Sequence, residues 1–224
     1  MNIKKPFIRS PKSYLYCNPT LSKIANRLKS NIVLSQTTGQ RFDFAKHQLK
    51  QSAVSVLIEL AHNKQANVIL TQRQHSLRSH PGQFSFPGGK FDELVDQSLA
   101  QTASRETKEE IGLEVTPETA IKINTFYTLS GYKIEPYVNF ITPPYQTKIN
   151  TDEVHQIIKV PLAYLCQPWQ FTKIRIKKNN ARLTVYAFSY QGALVWGATA
   201  GILVDLASRL SNNPTGFIQA IPEF

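Results

Sequence analysis

Three glutamates at the end of one predicted helix are the residues of this sequence best placed to do chemistry. Glu106, Glu109 and Glu110 stand directly before Gly112, and glycine is typical of helix C-termini. The carbonyl end of a helix repels carboxylates, at a cost of about 0.3–1 kcal/mol each, and neighbouring like charges raise one another's pKa. A hard divalent cation, Mg²⁺ or Mn²⁺, would relieve this repulsion, because carboxylate oxygens are the ligands that such ions prefer.

The sequence places these glutamates on a helix with clear limits. Asp96 is a reasonable N-cap and Gly112 a reasonable C-terminal residue, so we expect a helix over residues 97–111. At 100° per residue, Glu110 projects from the apolar face of this helix and Glu106 lies at the edge of that face. The alternative is an exposed helix end, where neighbouring arginine and lysine side chains neutralise the glutamates. That alternative does not account for a carboxylate directed inward.

The residues before and within this helix form a recognisable motif. The stretch resembles the box of Nudix hydrolases, a glycine and a loop followed by R-E-x-x-E-E-x-G, which is matched here by Gly89, Arg105, Glu106, Glu109, Glu110 and Gly112. Immediately upstream, LTQRQHSLRSHPGQFSFPGG is similar to the additional motif of the coenzyme A pyrophosphatase branch. The residues in register are Leu70, Thr71, Arg73, Arg78, Gly82, Phe86, Pro87, Gly88 and Gly89. The likeness extends from about Ser52 to Leu206.

The sequence also departs from the general Nudix pattern. Gly89 and Arg105 are sixteen positions apart rather than fourteen, so the loop between them carries extra residues. Gln97 then stands in the place of the first glutamate of the box. Asp96 and Glu93 are the nearest acids, and the sequence leaves open whether either of them replaces that glutamate.

The resemblance implies hydrolysis of a diphosphate that links a nucleoside to another group. It implies that Glu106, Glu109 and Glu110 are ligands of Mg²⁺ or Mn²⁺, that the Gly89 carbonyl is a further ligand and that Arg105 orients a glutamate. Nudix enzymes differ in the source of the general base. Here Glu153 is the first candidate and Glu106 the second, and a purely structural role for Glu153 in its loop is the alternative.

The branch that the sequence resembles implies coenzyme A, and acyl-coenzyme A, as the substrate. Arg73 and Arg78 are candidate phosphate-binding residues, because a guanidinium matches phosphate with two parallel hydrogen bonds, and Gly82 belongs to the same substrate-binding motif. The alternatives are another nucleoside diphosphate compound, such as ADP-ribose or a dinucleotide polyphosphate, and a Nudix module that binds nucleotide or RNA without catalysis.

The remaining elements predict an α/β fold that would hold this motif, a Nudix-type α/β/α sandwich with a mixed sheet. Residues 1–50 read as a basic extension with a short helix in LSKIANRLKS, and residues 51–224 as the Nudix hydrolase domain. SAVSVLIEL and ANVILTQR form one predicted hairpin, and FTKIRIKK and RLTVYAFSY form another, with Asn179 and Asn180 at its turn. A helix is predicted from Ala193 to Leu210.

The composition limits the kinds of binding partner and the cellular compartment that we expect for this protein. The 224 residues carry a formal net charge of +11, with eight lysines and arginines before the first acid, Asp43. This balance favours phosphate-bearing partners, and a small-molecule substrate rather than a specific nucleic acid is expected. Cys17 and Cys166 have no metal-ligand spacing, and no apolar run is long enough to cross a bilayer. We therefore expect a cytoplasmic protein, although the acid-free N-terminus faintly resembles an organellar transit peptide; the sequence does not indicate an oligomeric state.

Overall fold

The computed structural model of the protein describes residues 21–29, 49–61, 65–128, 130–178 and 181–224. The helices within these ranges are α1 (Leu21–Lys29), α2 (Leu99–Ile111), α3 (Leu162–Leu165), α4 (Gly197–Leu210) and α5 (Pro214–Ala220). The strands are β1 (Lys50–Leu60), β2 (Ala66–Arg73), β3 (Phe84–Ser85), β4 (Gly88–Lys90), β5 (Ile121–Lys122), β6 (Phe126–Tyr127), β7 (Tyr132–Ile141), β8 (Val154–Pro161), β9 (Phe171–Lys178), β10 (Ala181–Tyr190) and β11 (Ala193–Trp196).

The central sheet is mixed, as the sequence predicts. Strand β1 runs parallel to β7 along almost its whole length and antiparallel to β2 and β4. Strand β2 also pairs antiparallel with β3 and β8. The predicted hairpin of β1 and β2 is confirmed, and the backbone N–H of Ala61 donates to the carbonyl oxygen of Gln65 (2.9 Å) where the two strands meet.

Helices cover both faces of this sheet because successive side chains of a strand point in opposite directions. Val56 and Ile58 of β1 are buried in the larger core, which contains residues of α1 and α4. Leu57, between them in sequence, is buried with Ile69 and with Ile111 of α2. The strands of this sheet are therefore buried on both sides, and the expected sandwich architecture is confirmed.

A second sheet of three strands, in the order β11, β10, β9, is built from the C-terminal part of the chain. The predicted hairpin of β9 and β10 is confirmed by their antiparallel pairing, while its turn, residues 179–180, lies outside the described residues. Strand β11 contacts β3, and α4 contacts both β10 and β6. The second sheet and α4 therefore lie next to the edge of the central sheet that carries the glycine-rich segment.

The last long helix begins at Gly197, so the prediction that it starts at Ala193 is wrong. Residues 193–196 pair with β10 as a strand instead. Ala193 and Val195 are buried while Leu194 and Trp196 are exposed, which is the two-residue period of a half-buried strand. The apolar run across this junction hides the change of period, and a left-handed Gly197 (φ +68°) separates the two elements.

Helix α2 begins two residues later than the sequence predicts. Ser98, not Asp96, is the N-cap, and its hydroxyl accepts a hydrogen bond from the backbone N–H of Gln101 (3.2 Å). Gly112 ends the helix in the left-handed conformation (φ +71°), as expected. The Asp96 side chain therefore does not cap the helix and accepts hydrogen bonds from Arg105 instead.

The short helix α1 confirms the predicted helix in the N-terminal region, and it packs on α4. Ile24 and Leu28 are buried in the same core as the C-terminal helices. The Arg27 guanidinium donates to the carbonyl oxygen of Leu210 (2.6 Å), and the Arg209 guanidinium donates to the carbonyl oxygen of Leu28 (3.3 Å). Each arginine thus supplies a donor to the carboxyl end of the other helix. Within the described ranges, no helix has the length and apolar character needed to cross a membrane.

Candidate active site

A cavity of about 840 Å³ opens where the central sheet, the second sheet and the first turn of α4 meet. This volume is typical of sites that enclose a small organic ligand. This cavity is lined by four of the charged residues that the sequence predicts to belong to the site, namely Arg73, Glu106, Glu110 and Glu153. Three elements distant in sequence therefore bring an arginine and three carboxylates to one cavity.

Glu110 is the most deeply buried of these carboxylates, with 4% of the residue exposed. Its side chain accepts only two long hydrogen bonds, from the backbone N–H of Gly88 (3.4 Å) and from the hydroxyl of Thr71 (3.5 Å), and bonds of this length are weak. Burial, together with the negative charges of Glu106 and Glu153, raises the pKa of Glu110 to about 8. A poorly satisfied buried carboxylate of this kind fits a site for a cation.

Glu106 lies directly against the glycine-rich segment. A Cβ atom on Gly89 would come within 2.3 Å of the Glu106 carboxyl group, so only glycine permits this approach. Burial raises the pKa of Glu106, and the charges of Glu109 and Glu153 add to this effect, although Arg105 opposes it. The predicted carbonyl ligand and the predicted carboxylate ligand are therefore neighbours.

Glu109 has a different environment from the other two glutamates of the box. Its side chain is 54% exposed, accepts a hydrogen bond from Arg105 (3.0 Å) and does not line the cavity. In the described part of the chain, no group of three or more histidine, cysteine, aspartate or glutamate side chains is already arranged to hold a metal ion. The buried Glu110 and the partly buried Glu106, both with raised pKa values, still provide the hard oxygen donors that a divalent cation requires, and Glu109 stays a predicted ligand.

Arg105 is held by three carboxylates. Asp96 accepts two hydrogen bonds from its guanidinium (2.9 and 3.0 Å), Glu106 accepts one (2.8 Å), and Glu109 accepts another. Asp96 is itself buried and accepts a further hydrogen bond from the Thr102 hydroxyl (2.9 Å). The hydrogen bonds from Arg105 lower the pKa of Asp96. Asp96 therefore fixes Arg105, which in turn orients two glutamates of the box.

Glu153 reaches the cavity from the turn before β8. The backbone carbonyl of Glu153 accepts a hydrogen bond from the backbone N–H of Gln74 (2.7 Å), which ties this turn to the end of β2. The charge of the Glu153 side chain contributes to the raised pKa values of Glu106 and Glu110. Glu153 thus lines the same cavity as Glu106 and Glu110.

The structure separates the three predicted substrate-binding residues. Arg73 lines the cavity, and its Nε donates to the carbonyl oxygen of Ser79 (3.3 Å). Arg78 is exposed and lies outside the cavity lining, and so does Gly82. Gly82 has a φ of +67°, and the His75 ring occupies the place of a Cβ atom, at 2.7 Å. Gly82 thus shapes the loop that leads from Arg73 to β3.

Comparison with known proteins identifies the family of this chain. The NUDIX domain family matches residues 49–179, more than half of the chain. The chain belongs to the Nudix family. A protein of Klebsiella pneumoniae subsp. pneumoniae described as an uncharacterized Nudix hydrolase, NudL, is 32% identical over 173 residues, which cover 76% of this chain and 88% of that one. A protein of Salmonella newport with the same description is 31% identical over 193 residues, which cover 84% of this chain and 98% of that one. A solved MutT/nudix family protein from Enterococcus faecalis gives a TM-score of 0.49 at 13% identity, over 75% of this chain and 66% of that one.

The Nudix box of this chain lacks its first glutamate, and one of the two nearest acids, Asp96, contacts the box arginine. Asp96 makes the two hydrogen bonds to Arg105, whereas Glu93 is exposed. Sequence reasoning missed this contact because it assigned Asp96 to the helix cap. The available signal was the position of Asp96, one residue before the place where the pattern requires an acid.

Substitution of Asp96 tests its role in positioning Arg105. We expect Asp96→Asn to weaken both hydrogen bonds to Arg105 and to lower the free energy of unfolding by about 1.5–3 kcal/mol near neutral pH, because bonds to charged groups contribute that much. The loss should shrink at acidic pH. The depressed pKa of Asp96 means that its stabilisation is present above its ordinary pKa of 3.8 and is lost as the pH falls through the lower folded value. Denaturant unfolding at several pH values measures this.

Glu93→Gln provides the matched control, since it removes the same charge from an exposed position in the same loop. We expect no change in stability for this variant. Equal stability losses for the two variants would contradict the positioning role of Asp96.

Proposed function

We propose that this Nudix protein hydrolyses the diphosphate of coenzyme A, and of acyl-coenzyme A, to adenosine 3′,5′-bisphosphate and 4′-phosphopantetheine, in the cytoplasm. The observation that carries the proposal is the position of Arg73, which lines the same cavity as Glu106 and Glu110. Coenzyme A has a 3′-phosphate that ADP-ribose and dinucleotide polyphosphates lack, so discrimination requires an additional cationic group. A guanidinium next to the diphosphate site meets that requirement.

Each residue of the site has a distinct part in the proposed reaction. When bound by Glu106, Glu109, Glu110 and the Gly89 carbonyl, Mg²⁺ or Mn²⁺ supplies positive charge for the diphosphate and acidifies water. Arg105 holds the carboxylates of Glu106 and Glu109 in place. Glu153 accepts the proton of the attacking water, with Glu106 as the second candidate for this role.

Two other functions would use the same cavity, namely hydrolysis of a different nucleoside diphosphate compound and binding without catalysis. The relatives named as Nudix hydrolases support hydrolysis of a nucleoside diphosphate compound, and ADP-ribose or a dinucleotide polyphosphate would serve the same carboxylates. The formal net charge of +11 favours a third candidate, a module that binds RNA without catalysis. Binding alone has no need of a buried carboxylate such as Glu110 that accepts only long hydrogen bonds from the described residues, so catalysis is the better supported function.

A panel of substrates distinguishes these functions. The purified protein is incubated with coenzyme A, acetyl-coenzyme A, ADP-ribose and a diadenosine polyphosphate, each with Mg²⁺ or Mn²⁺, and the products are separated by mass. We expect adenosine 3′,5′-bisphosphate and 4′-phosphopantetheine from coenzyme A as the fastest reaction. Faster cleavage of ADP-ribose would overturn the choice of substrate. Salt-sensitive RNA binding without hydrolysis of any compound would support the non-catalytic module.

The variant Arg73→Ala tests whether Arg73 binds the 3′-phosphate of coenzyme A. We expect kcat/KM for coenzyme A to fall about ten- to a hundredfold, the effect of losing one charge-assisted contact, and kcat/KM for 3′-dephospho-coenzyme A to fall much less. Arg78→Ala is the comparison, and its loss should be smaller because Arg78 lies outside the cavity lining. Equal losses on the two compounds in Arg73→Ala would show that Arg73 does not read the 3′-phosphate.

A further inference from the structure

Trp196 is a large aromatic residue of the cavity wall, and it has no part in the proposed catalytic reaction. It is the last residue of β11, directly before α4, and it lines the cavity. Its neighbour Val195 is completely buried in the core, whereas Trp196 is 49% exposed. Because side chains alternate along a strand, the indole projects from the face of β11 opposite to the core, and about half of its surface is open to a ligand.

Trp196 lies on the same side of the cavity as Arg73. Strand β11 contacts β3, and the Thr199 hydroxyl in the first turn of α4 donates to the carbonyl oxygen of Phe84 in β3 (3.3 Å). Phe84 pairs with Gln72, and the backbone N–H of Arg73 donates to the carbonyl oxygen of Gln83 (2.9 Å). A continuous set of short contacts therefore joins the strand of Trp196 to the arginine assigned to the ribose phosphate.

The part of the cavity wall formed by β6 and β7 has a different character, and β7 lies two strands away from β2 in the sheet. It contributes Phe126 and Ile134, which pack on the larger core, and the phenol-bearing Tyr127 and Tyr132. The Phe126 ring lies against the backbone of α4, because a Cβ atom on Gly201 would come within 2.5 Å of it. A wall that is partly apolar and carries no cation among its described residues suits the non-nucleotide arm of a substrate, and this leaves the side with Arg73 for the nucleoside.

We propose that the indole of Trp196 stacks on the nucleobase of the substrate. The inference rests on the proposed function in one respect, that the substrate carries a nucleobase at one end of its diphosphate. Every nucleobase has a flat π face, and stacking on an aromatic side chain contributes substantially to binding. Of the other aromatic residues of the lining, Tyr186 and Phe86 are buried in the core, and Phe84 and Phe126 pack against it. Tyr127 and Tyr132 belong to β6 and β7, away from the side with Arg73.

Fluorescence provides a binding test that requires neither a metal ion nor turnover. The sequence contains two tryptophans, Trp169 and Trp196, so Trp169→Phe leaves the indole of interest as the single reporter. In the presence of a chelator, we expect saturable quenching by adenosine 3′,5′-bisphosphate and by ADP, and none by 4′-phosphopantetheine or inorganic diphosphate, which have no base. Quenching by the base-free compounds equal to that by the nucleotides, or no quenching by the nucleotides, would overturn the proposal.

Kinetics of Trp196 variants separate stacking from packing. We expect Trp196→Ala to lower kcat/KM about tenfold, through a higher KM, for coenzyme A and for 3′-dephospho-coenzyme A alike, because both carry the base. Trp196→Phe should retain most of the activity. Leu194→Ala is the matched control, since Leu194 projects from the same face of β11, is 59% exposed and lies outside the cavity lining, and this variant should behave as the unmodified protein.

The outcomes distinguish failure of this inference from failure of the proposed function. Hydrolysis of coenzyme A with an unchanged KM in Trp196→Ala would overturn the stacking role and leave the proposed function standing. Quenching by ADP in a protein that does not cleave coenzyme A would support stacking and overturn only the substrate. A changed oligomeric state on size-exclusion chromatography in Trp196→Ala, absent from Leu194→Ala, would instead assign the indole to a contact between copies of the chain and overturn the proposal.

Discussion

Replacement of Glu110 by glutamine is expected to reduce turnover severely, by about a hundred- to a thousandfold in kcat, the size found when one electrostatic stabiliser of an active site is removed. Glutamine keeps the shape of the side chain but loses the negative charge, so the cation would be held by two of the three proposed carboxylates, without the most deeply buried one. The measurement is the initial rate with coenzyme A at saturating Mg²⁺ or Mn²⁺. Glu114→Gln is the control, because Glu114 is an exposed acid four residues further along the chain, bonded to Lys108 (2.7 Å), and it should retain full activity.

The same variant should be more stable than the unmodified protein when metal is removed by a chelator. The pKa of Glu110 is raised from 4.5 to about 8 in the folded protein, so the folded state binds this proton more tightly than the unfolded state does. Stability then falls as the pH rises from about 4.5 to about 8, by up to about 1.4 kcal/mol per pH unit. Glu110→Gln lacks this loss, and its advantage in thermal unfolding should grow over that range. Full turnover, or no stability gain at pH 8, would contradict the role assigned to Glu110.

Glu153→Gln is expected to lower kcat by about a hundred- to ten-thousandfold, the contribution typical of a general base, while KM for coenzyme A changes little. The physical reason is that the amide cannot accept the proton of the attacking water. Asp152→Asn is the matched control, because Asp152 is the adjacent acid of the same turn, is exposed and does not line the cavity. A Glu153→Gln enzyme with a nearly normal kcat would transfer the role of base to Glu106.

Local sequence was sufficient to predict the helix of the Nudix box and the orientation of its glutamates. The spacing of Glu106 and Glu110 and the glycine at position 112 decide the geometry within a single element, where a period of 3.6 residues applies. For this reason the inward direction of Glu110 and the helix end at Gly112 were predicted correctly. The β1–β2 and β9–β10 hairpins could be predicted for the same reason, since each depends on a short stretch of chain.

The features that sequence reasoning missed depend on contacts between distant segments. Residues 193–196 form a strand because the free edge of β10 is available to pair with them, which no local pattern reveals. Asp96 is bound to Arg105 because a loop residue folds back on the helix that follows it. Likewise, Arg73 and Arg78 have the same chemistry and belong to one motif, and only the course of the loop between β2 and β3 turns Arg73 toward the cavity and leaves Arg78 at the surface.

Because α1 packs on the core, the folded protein extends beyond the segment that matches the Nudix family. The family match begins at residue 49, yet Ile24 and Leu28 belong to the core that also holds Phe86, Tyr186 and Ile202, three residues of the cavity wall. A protein that began at residue 49 would lose these two core side chains and the guanidinium that caps α4 at Leu210. Anyone transplanting this enzyme into a fusion, or shortening it for use as a reagent, should therefore retain the chain from residue 21 onward.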